Sequence, residues 1–300
     1  MKARASDKGH ADATLVVLAA GRATRYGGVK PLASVGVAGE AVLDLLASDA
    51  LGAGFGRLVL VVGPETGPAL RYHVQREWPQ EVPVEFALQP GARGTVDAVL
   101  AAAPLLDGAT PFGVANADDL PGEAGLGLLA THLRSSDTAC AAVCYRLRDS
   151  LLGDAPVTRG LCQVDHEGML AAVDERRNVT SLVDGRIVAE DGREPTELDP
   201  EQLVSVNLWG FRPEMVGILQ RAMAASDSST EVLLPVVVDQ VLAQRRAGAE
   251  GTEPVRVLRA PGRCIGVTHP GDVALVQAEL AREIGRGGRS AQLWTALHPR

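Results

Sequence analysis

Arg25 and Lys30, two of the three cations in the stretch LVVLAAGRATRYGGVKPLASVG (residues 15–36), lie among small residues. An apolar run typical of a strand ends at Ala20 and Gly21, and Arg25 and Lys30 follow in a glycine-rich loop. Backbone N–H groups of such a loop form a concave anion site, and cations at its rim neutralise charge that the amides alone do not. The stretch contains neither a Walker A nor a G-x-G-x-x-G motif. It therefore predicts either a polyphosphate site or a surface turn with solvated cations.

Lys30 is the only lysine after position 8, and arginines supply all the other positively charged side chains in that part of the chain apart from any protonated histidine. Lysine carries a compact ammonium charge that many phosphate sites use, whereas arginine presents a planar fork. A single lysine in a glycine-rich loop of an arginine-rich chain therefore favours the phosphate-binding interpretation.

A second turn with possible ligand contacts occurs in QPGARGTVDAVLAA. Gln89 ends a predicted strand, and Gly94 and Thr95 begin a predicted helix. In open α/β sheets ligands bind outside the carboxyl ends of strands, so this turn is expected to face the same crevice as the loop after the first strand. The alternative is an ordinary helix N-terminus that Thr95 caps.

Paired carboxylates follow another apolar strand in VANADDLPG. Asp118 and Asp119 at the carboxyl end of that strand suit Mg²⁺, which prefers one or two carboxylates together with phosphate oxygens and water. The alternative is a turn in which an aspartate caps the backbone.

Charged residues also cluster in VTRGLCQV and AVDERRNV. Arg159, Gly160, Glu175 and Arg176 provide hydrogen-bond donors for a phosphate and a carboxylate for hydroxyl groups. The alternative is a solvated, charged face.

Asn207 lies within the apolar strand SVNLWGF, where a polar amide needs partners. It is either a satisfied core group or a ligand contact. Trp209 beside it either stacks on a ring or packs in the core.

The order of elements predicts an α/β fold. Apolar strands alternate with amphipathic helices through residue 149, which predicts a doubly wound, mostly parallel sheet. From residue 150 to about 202, alternating runs joined at His166–Gly168 predict an antiparallel insertion that covers the substrate. A buried strand and two helices follow, the second of them capped by Ser229 or Thr230, and a last strand and helix complete the fold.

The stretch LAAGRATRYGGVKPL resembles the signature of the sugar-phosphate nucleotidylyltransferases, Leu-x-Ala-Gly-Gly-x-Gly-Thr-Arg followed by a spacer and Pro-Lys. Ala23 replaces the second glycine, and Lys30-Pro31 inverts the final pair. The resemblance extends from about residue 14 to 285 with later motifs in family order, and it implies a Rossmann-like nucleotidyltransferase sheet.

The resemblance also implies roles for residues that match family motifs. The catalytic residues are Arg25 and Lys30, and Asp118 is the Mg²⁺ ligand. The nucleotide-binding residues are Ala20, Gly21, Thr24, Gln89, Gly94 and Thr95. The acceptor-binding residues are Gly160, Glu175, Arg176 and Asn207.

A closing motif, GVTHPGD, resembles the family element Asp-x-Gly-Thr-Pro-x-Asp. Aligned on Pro270 and Asp272, the position of a second metal-binding aspartate holds Gly266. Either one metal serves, or Asp119 or a water molecule replaces the ligand.

Composition excludes several classes of protein. The net charge of −8, the pI near 5.3 and the scattered aromatic residues argue against nucleic acid as a partner. No apolar run is long enough to cross a membrane, and the polar beginning resembles no signal peptide, so we expect a cytoplasmic protein. The four cysteines show no C-x-x-C spacing and are expected to be buried thiols. The composition neither favours nor excludes a homo-oligomer.

We expect a disordered tail at residues 1–12 and a single nucleotidyltransferase domain at 13–290. That domain comprises a nucleotide-binding half (13–149), an acceptor-binding insertion (about 150–202) and a closing part (203–290).

The expected reaction converts an NTP and a sugar-1-phosphate, or an analogous phosphate, into an NDP-sugar and pyrophosphate with the assistance of Mg²⁺. Two alternatives remain. One is cytidylyl or guanylyl transfer to a cyclitol phosphate or phosphonate, and the other is a regulatory module that binds nucleotide or sugar phosphate without catalysis.

Overall fold

The computed structural model of the chain describes residues 13–21, 28–227, 229–249 and 253–297. The predicted tail, residues 1–12, lies outside the described residues, and so do Thr24 and Arg25.

The strands fall into one large mixed sheet and one short ribbon. They are β1 (Thr14–Leu18), β2 (Arg57–Val62), β3 (Val84–Leu88), β4 (Phe112–Asn116), β5 (Asp119–Leu120), β6 (Cys140–Arg146), β7 (Val157–Val164), β8 (Leu170–Ser181), β9 (Ile187–Ala189), β10 (Glu197–Leu198), β11 (Leu203–Phe211), β12 (Val255–Arg259) and β13 (Ile265–Gly266).

Helices cover both faces of the large sheet. They are α1 (Val42–Gly52), α2 (Gly67–Glu77), α3 (Thr95–Ala102), α4 (Gly122–Arg134), α5 (Met215–Ala225), α6 (Leu234–Arg246) and α7 (Asp272–Gly285). Within the described ranges, no helix is long and apolar enough to cross a lipid bilayer.

The parallel part of the sheet has the strand order β3-β2-β1-β4. Strands β1 and β2 in the middle of this part are almost continuous apolar runs, as expected where both faces of a strand are buried. Leu15 and Val17 of β1 pack in the core beneath α1, α2, α4 and α7, whereas Val16 packs on the other face beneath α3, α5 and α6. The predicted doubly wound α/β class is confirmed.

Strand β11 joins this parallel part to an antiparallel part. Val204 and Ser205 pair with β7, whereas Trp209 and Phe211 pair with β4. Beyond β7, strands β8, β9 and β10 continue the sheet antiparallel to one another. The predicted antiparallel strands are therefore present, and they extend the main sheet.

The start of α6 differs from the prediction that Ser229 or Thr230 caps it. The helix begins at Leu234, and its N–H donates a hydrogen bond to Thr95 Oγ1 at 2.8 Å. Thr95 does not cap its own helix, because the N-cap of α3 is Gly94. Gly94 has φ +91°, and a Cβ there would lie 2.5 Å from the Val232 carbonyl oxygen. This close approach of the two backbones couples the starts of α3 and α6.

A buried carboxylate ties α1 to α2. Asp44 accepts hydrogen bonds from the Ala41 N–H at 2.8 Å, from His73 Nε2 at 2.7 Å and from Trp78 Nε1 at 2.6 Å. The hydrogen bond to Asp44 raises the pKa of His73 above its ordinary value, against the opposing effect of burial. The His73 contact is therefore strongest when the imidazole is protonated.

This arrangement predicts a pH-dependent effect of His73→Ala on stability. A histidine whose folded pKa is raised contributes stability fully below its unfolded pKa, near 6.5, and loses that contribution as the pH rises through the folded pKa. Urea unfolding at pH 5.5 and pH 9 should show a larger loss of stability for His73→Ala at pH 5.5. The control is His166→Ala in the exposed hairpin turn. An equal loss at both pH values would contradict the assignment.

Candidate functional site

A cavity lies where β4 and β7, which share one edge of β11, separate from each other. One edge of β11 is hydrogen-bonded to β7 as far as Ser205 and to β4 from Trp209 onward. The register of the pairing between β11 and β6 also shifts between these two residues. Asn207 lies in this irregular segment with φ +60°, a left-handed conformation that asparagine tolerates better than most residues. The end of β4 and the beginning of β7 consequently diverge, and polar groups fill the gap.

The cavity has a volume of about 290 Å³ and a polar, charged lining. Its lining residues are Lys30, Asn116, Asp118, Asp119, Val157, Thr158, Arg159, Gly160, Glu175, Ser205, Val206, Asn207, Pro235 and Thr268. The structure thus brings together the predicted residues Lys30, Asp118, Gly160, Glu175 and Asn207.

One side of the cavity is a row of residues across three antiparallel strands. Glu175 of β8 lies opposite Gly160 of β7, and Gly160 lies opposite Ser205 of β11. Directly opposite residues in antiparallel strands point to the same face. Glu175 therefore projects on the face that carries Gly160 and Ser205, and its side chain is about one quarter exposed.

Arg176 does not lie in the cavity, which corrects its predicted contact with the acceptor. As the residue after Glu175 in a strand, it projects from the opposite face. Its side chain is only 1% exposed, and it forms a two-pronged ion pair with Asp191 at 2.7 and 2.9 Å. It also donates to the carbonyl oxygens of Arg193 and Pro195. These contacts make Arg176 the anchor of the segment between β9 and β10.

Lys30 supplies a positive charge to the cavity. It is the first residue of a short 3₁₀ helix that ends at Leu32. Pro31 is buried beneath this turn and holds it against the core. Lys30 Nζ lies 3.8 Å from Asp118 Oδ2, and the two side chains are 21% and 35% exposed. The contact is an ion pair that faces an open cleft, where a bound anion can compete for the ammonium group.

The negative charges of the adjacent Asp118 and Asp119 are only partly compensated by nearby cations. Burial raises the pKa of Asp118, the Asp119 charge raises it further, and Lys30 opposes the rise. Burial likewise raises the pKa of Asp119, and Arg159 gives the main opposition. Asp118 keeps about a third of its side-chain surface exposed in the cleft, so solvent partly screens these charges. The direction of both pKa shifts is that expected of a site where an additional cation stabilises both carboxylates.

Asn207 presents one free donor to this cavity. Its Oδ1 accepts a hydrogen bond from Trp209 Nε1 at 3.1 Å, and its backbone N–H donates to Ser205 Oγ at 3.2 Å. Among the described residues, none accepts a hydrogen bond from Nδ2. Trp209 has no exposed surface and stacks on Phe211 in the core, so it packs and does not contact a ligand ring.

The predicted nucleotide-binding residues occupy a separate part of the same sheet edge. Ala20 and Gly21 follow β1, and Gln89 follows β3, whose carboxyl ends lie on one side because β1, β2 and β3 are parallel. Gln89 is buried, and its Nε2 donates to Asp97 Oδ2 at 2.8 Å and to the Gly94 carbonyl oxygen at 3.2 Å. These residues do not line the cavity described above, and their contact with nucleotide stays a prediction.

Sequence reasoning missed four polar lining residues, one of which is Thr158, the second residue of β7. Asn116 is the last residue of β4, Ser205 precedes Asn207 by two positions in β11, and Thr268 follows β13. The two-residue period of a strand and the rule that ligands bind at carboxyl ends pointed to Ser205 and Asn116. Thr268 enters the cavity only through tertiary contact.

Sequence comparison identifies a family over most of the chain. A profile described as "MobA-like NTP transferase domain" matches residues 15–249. No curated protein matches the sequence closely enough to be counted as a relative.

Solved structures share the fold at low sequence identity. HddC from Yersinia pseudotuberculosis superposes with a TM-score of 0.58 at 15% identity, covering 89% of this chain and 99% of that one. The inositol-1-phosphate CTP transferase from T. maritima superposes with a TM-score of 0.64 at 14% identity, covering 92% and 97%. The nucleotidyltransferase resemblance and fold predicted from the sequence are confirmed.

The burial of Arg176 predicts that Arg176→Met destabilises the protein, because Asp191 loses its charged partner. The urea midpoint at pH 7 should fall well below that of Arg177→Met, a control at the next residue, whose side chain is 73% exposed. Since the ion pair lowers the pKa of Asp191, its contribution is present above about pH 4 and is lost as the pH falls further. Equal midpoints for the two variants would contradict this role.

Proposed function

We propose, from the premise that this chain belongs to the MobA-like NTP transferase family, that it transfers a nucleotidyl group from an NTP to the phosphate of a small polyhydroxylated acceptor. The acceptor class is a sugar-1-phosphate or an analogous phosphate. The products are the activated NDP compound and pyrophosphate. Because NTPs are cytoplasmic metabolites, we expect the protein to work in that compartment.

The cavity composition is the observation that supports this proposal most directly. One cavity combines the ammonium group of Lys30, the carboxylate of Asp118, and the carboxylate and amide groups of Glu175 and Asn207. A phosphate needs cations, and sugar or cyclitol hydroxyls need carboxylate and amide partners. The same cavity can therefore hold both parts of a phosphorylated polyol.

The proposed reaction is an in-line displacement. An acceptor phosphate oxygen forms a bond to the α-phosphorus of the NTP, the bond from that phosphorus to the bridging oxygen breaks, and pyrophosphate leaves with the bonding electrons. Such a reaction demands positioning and charge neutralisation, with little covalent chemistry by the protein.

Lys30 is assigned to the reacting phosphates. Its ammonium group is held on a short 3₁₀ helix beside the cavity and stabilises charge on the α-phosphate and the incoming phosphate. Arg25, from the same loop, is proposed to hold the departing pyrophosphate.

The donor set also fits a divalent metal. Divalent-metal use is general among MobA-like NTP transferases, and Asp118 offers a hard oxygen ligand in a polar cavity, as Mg²⁺ prefers. When bound, Mg²⁺ supplies neutralisation of phosphate charge. We therefore assign Asp118 to Mg²⁺.

The acceptor is proposed to bind along the antiparallel strands. Glu175 accepts hydrogen bonds from hydroxyl groups, and the Asn207 Nδ2 donates one; both residues line the cavity together with Gly160. Arg159 replaces Arg176 as the source of positive charge on this side, since it lines the cavity and is held by Ser150.

The nucleotide is proposed to bind along the carboxyl ends of β1 and β3. The residues assigned to it are Ala20, Gly21, Thr24, Gln89, Gly94 and Thr95. Hydrogen bonds to Asp97 and Gly94 hold the Gln89 Nε2, so its Oε1 is the atom available to a base.

A second candidate is cytidylyl transfer to a cyclitol phosphate. The fold superposition on the inositol-1-phosphate CTP transferase from T. maritima favours this candidate, and a cyclitol also offers hydroxyl groups to Glu175 and Asn207.

Pyrophosphate release from a panel of NTPs paired with glucose-1-phosphate, inositol-1-phosphate and a phosphonate tests the proposal. We expect release that requires both a nucleotide and one acceptor class, and the responding acceptor separates the two candidates. Nucleotide binding without release from any pair would support a regulatory module.

We predict that Lys30→Ala lowers turnover by about a hundredfold or more and leaves the fold intact, because a positioned cation is lost where charge develops. Steady-state pyrophosphate release measures turnover, and circular dichroism with urea unfolding measures the fold. Arg76→Ala, at an exposed cation outside the cavity, is the control. Turnover near that of the wild type would contradict the role.

We predict that Glu175→Ala raises KM for the acceptor by about 10- to 150-fold, as expected when a charged hydrogen bond is lost, and leaves KM for the NTP nearly unchanged. The two substrates are varied separately. Loss of both affinities would indicate a collapsed hairpin, and loss of neither would make Glu175 a solvated charge.

A further inference from the structure

Asp119 and Gly266 meet in a two-stranded ribbon beside the cavity. Gly266 of β13 pairs with Asp119 of β5. A Cβ on Gly266 would overlap Asp119 Oδ1 and would lie 2.8 Å from the Asp118 carbonyl oxygen. The absence of a side chain at position 266 therefore leaves the space that the Asp119 carboxylate fills.

The Asp119 carboxylate is held in a defined orientation. Asn116 Nδ2 donates a hydrogen bond to Oδ2 at 2.9 Å, and Oδ1 lies against Gly266. On the backbone side, the Val267 N–H donates to the Asp118 carbonyl oxygen at 3.0 Å, which fixes the two strands of the ribbon to each other. Both aspartates line the same cavity, and Lys30 lies within ion-pair distance of one of them.

From this packing we infer that Asp119 is a second direct ligand of the divalent cation, together with Asp118, and that Gly266 is the residue that makes its position available. The inference rests on the proposed function, since the cation is the one that accompanies the NTP. Two carboxylates from consecutive residues supply hard oxygen ligands, and phosphate oxygens and water complete the set that Mg²⁺ prefers.

This assignment gives three neighbouring residues distinct tasks. Asp118 and Asp119 bind the cation, and Asn116 is a positioning residue that acts through Asp119. The sequence resemblance placed a metal-binding aspartate at the position of Gly266. In this chain the carboxylate enters the same space from the opposite strand of the ribbon.

The test measures binding of Mn²⁺ to the full-length protein without nucleotide at pH 8. The electron paramagnetic resonance signal of free Mn²⁺ reports how much of the ion stays unbound. We expect Asp118→Asn and Asp119→Asn each to raise the Kd for Mn²⁺ by about tenfold or more, because each removes a charged ligand. Glu175→Gln is the matched control, since it removes one negative charge from another wall of the cavity. Its Kd should stay within about threefold of the wild type.

A second pair of variants tests the role of the glycine. Gly266→Ala should raise the Kd by about tenfold because the added Cβ displaces the Asp119 carboxylate, whereas Gly127→Ala on α4 meets open space and should bind as the wild type does. If Gly266→Ala does not fold, Asp119→Asn decides the question alone.

Two results would overturn the inference. The first is Mn²⁺ binding by Asp119→Asn that matches the Glu175→Gln control, and the second is no binding to the wild type at millimolar Mn²⁺. Pyrophosphate release distinguishes failure of the inference from failure of the function. If the wild type releases pyrophosphate but Asp119→Asn leaves the Mn²⁺ affinity unchanged, the inference fails and the proposed function stands. If both aspartates contribute to Mn²⁺ binding but no substrate pair yields pyrophosphate, the proposed function fails and the inference stands.

Discussion

The change of partner along one edge of β11 is the constraint on which the candidate site depends. A strand has only two edges for hydrogen bonds, so an edge that bonds to β7 and then to β4 forces those two strands apart. Asn207 lies at the point of divergence, in a left-handed conformation that the adjacent pairing to β6 accommodates through a register shift. The cavity is thus a consequence of sheet topology.

Charge in this cavity is concentrated and incompletely balanced. Two basic and three acidic side chains line about 290 Å³. Burial raises the pKa of both aspartates, and the Asp119 charge raises that of Asp118 further. Proteins retain such arrangements at sites where a ligand completes the charge balance. A phosphorylated substrate that arrives with a divalent cation provides both signs of charge at once, which is why the nucleotidyl transfer proposal accounts for the lysine and for the aspartates together.

The residues Glu175 and Arg176 show what motif matching does not resolve. Both matched acceptor-binding positions, yet neighbouring residues in a strand face opposite sides, so only one of them reaches the cavity. Arg176 instead satisfies Asp191 and two backbone carbonyl groups in the antiparallel part. The start of α6 shows a similar limit, since Thr95, far away in sequence, accepts the hydrogen bond that Ser229 or Thr230 was expected to accept.

The α/β class, the doubly wound parallel core and the nucleotidyltransferase family were all predictable from the amino-acid sequence. These follow from continuous apolar strands, helical periodicity and short motifs, all of which are local patterns along the chain. The rule that ligands collect at the carboxyl ends of parallel strands predicted a common crevice for the loop of Lys30 and for Asp118, and the family motifs implied acceptor contacts for Glu175 and Asn207. The packing of Trp209 in the core, the anchoring of a loop by Arg176 and the position of Asp119 beside Gly266 emerge only in the folded chain. Those outcomes depend on which residues oppose one another across strands, and register between distant segments is set by packing of the whole sheet.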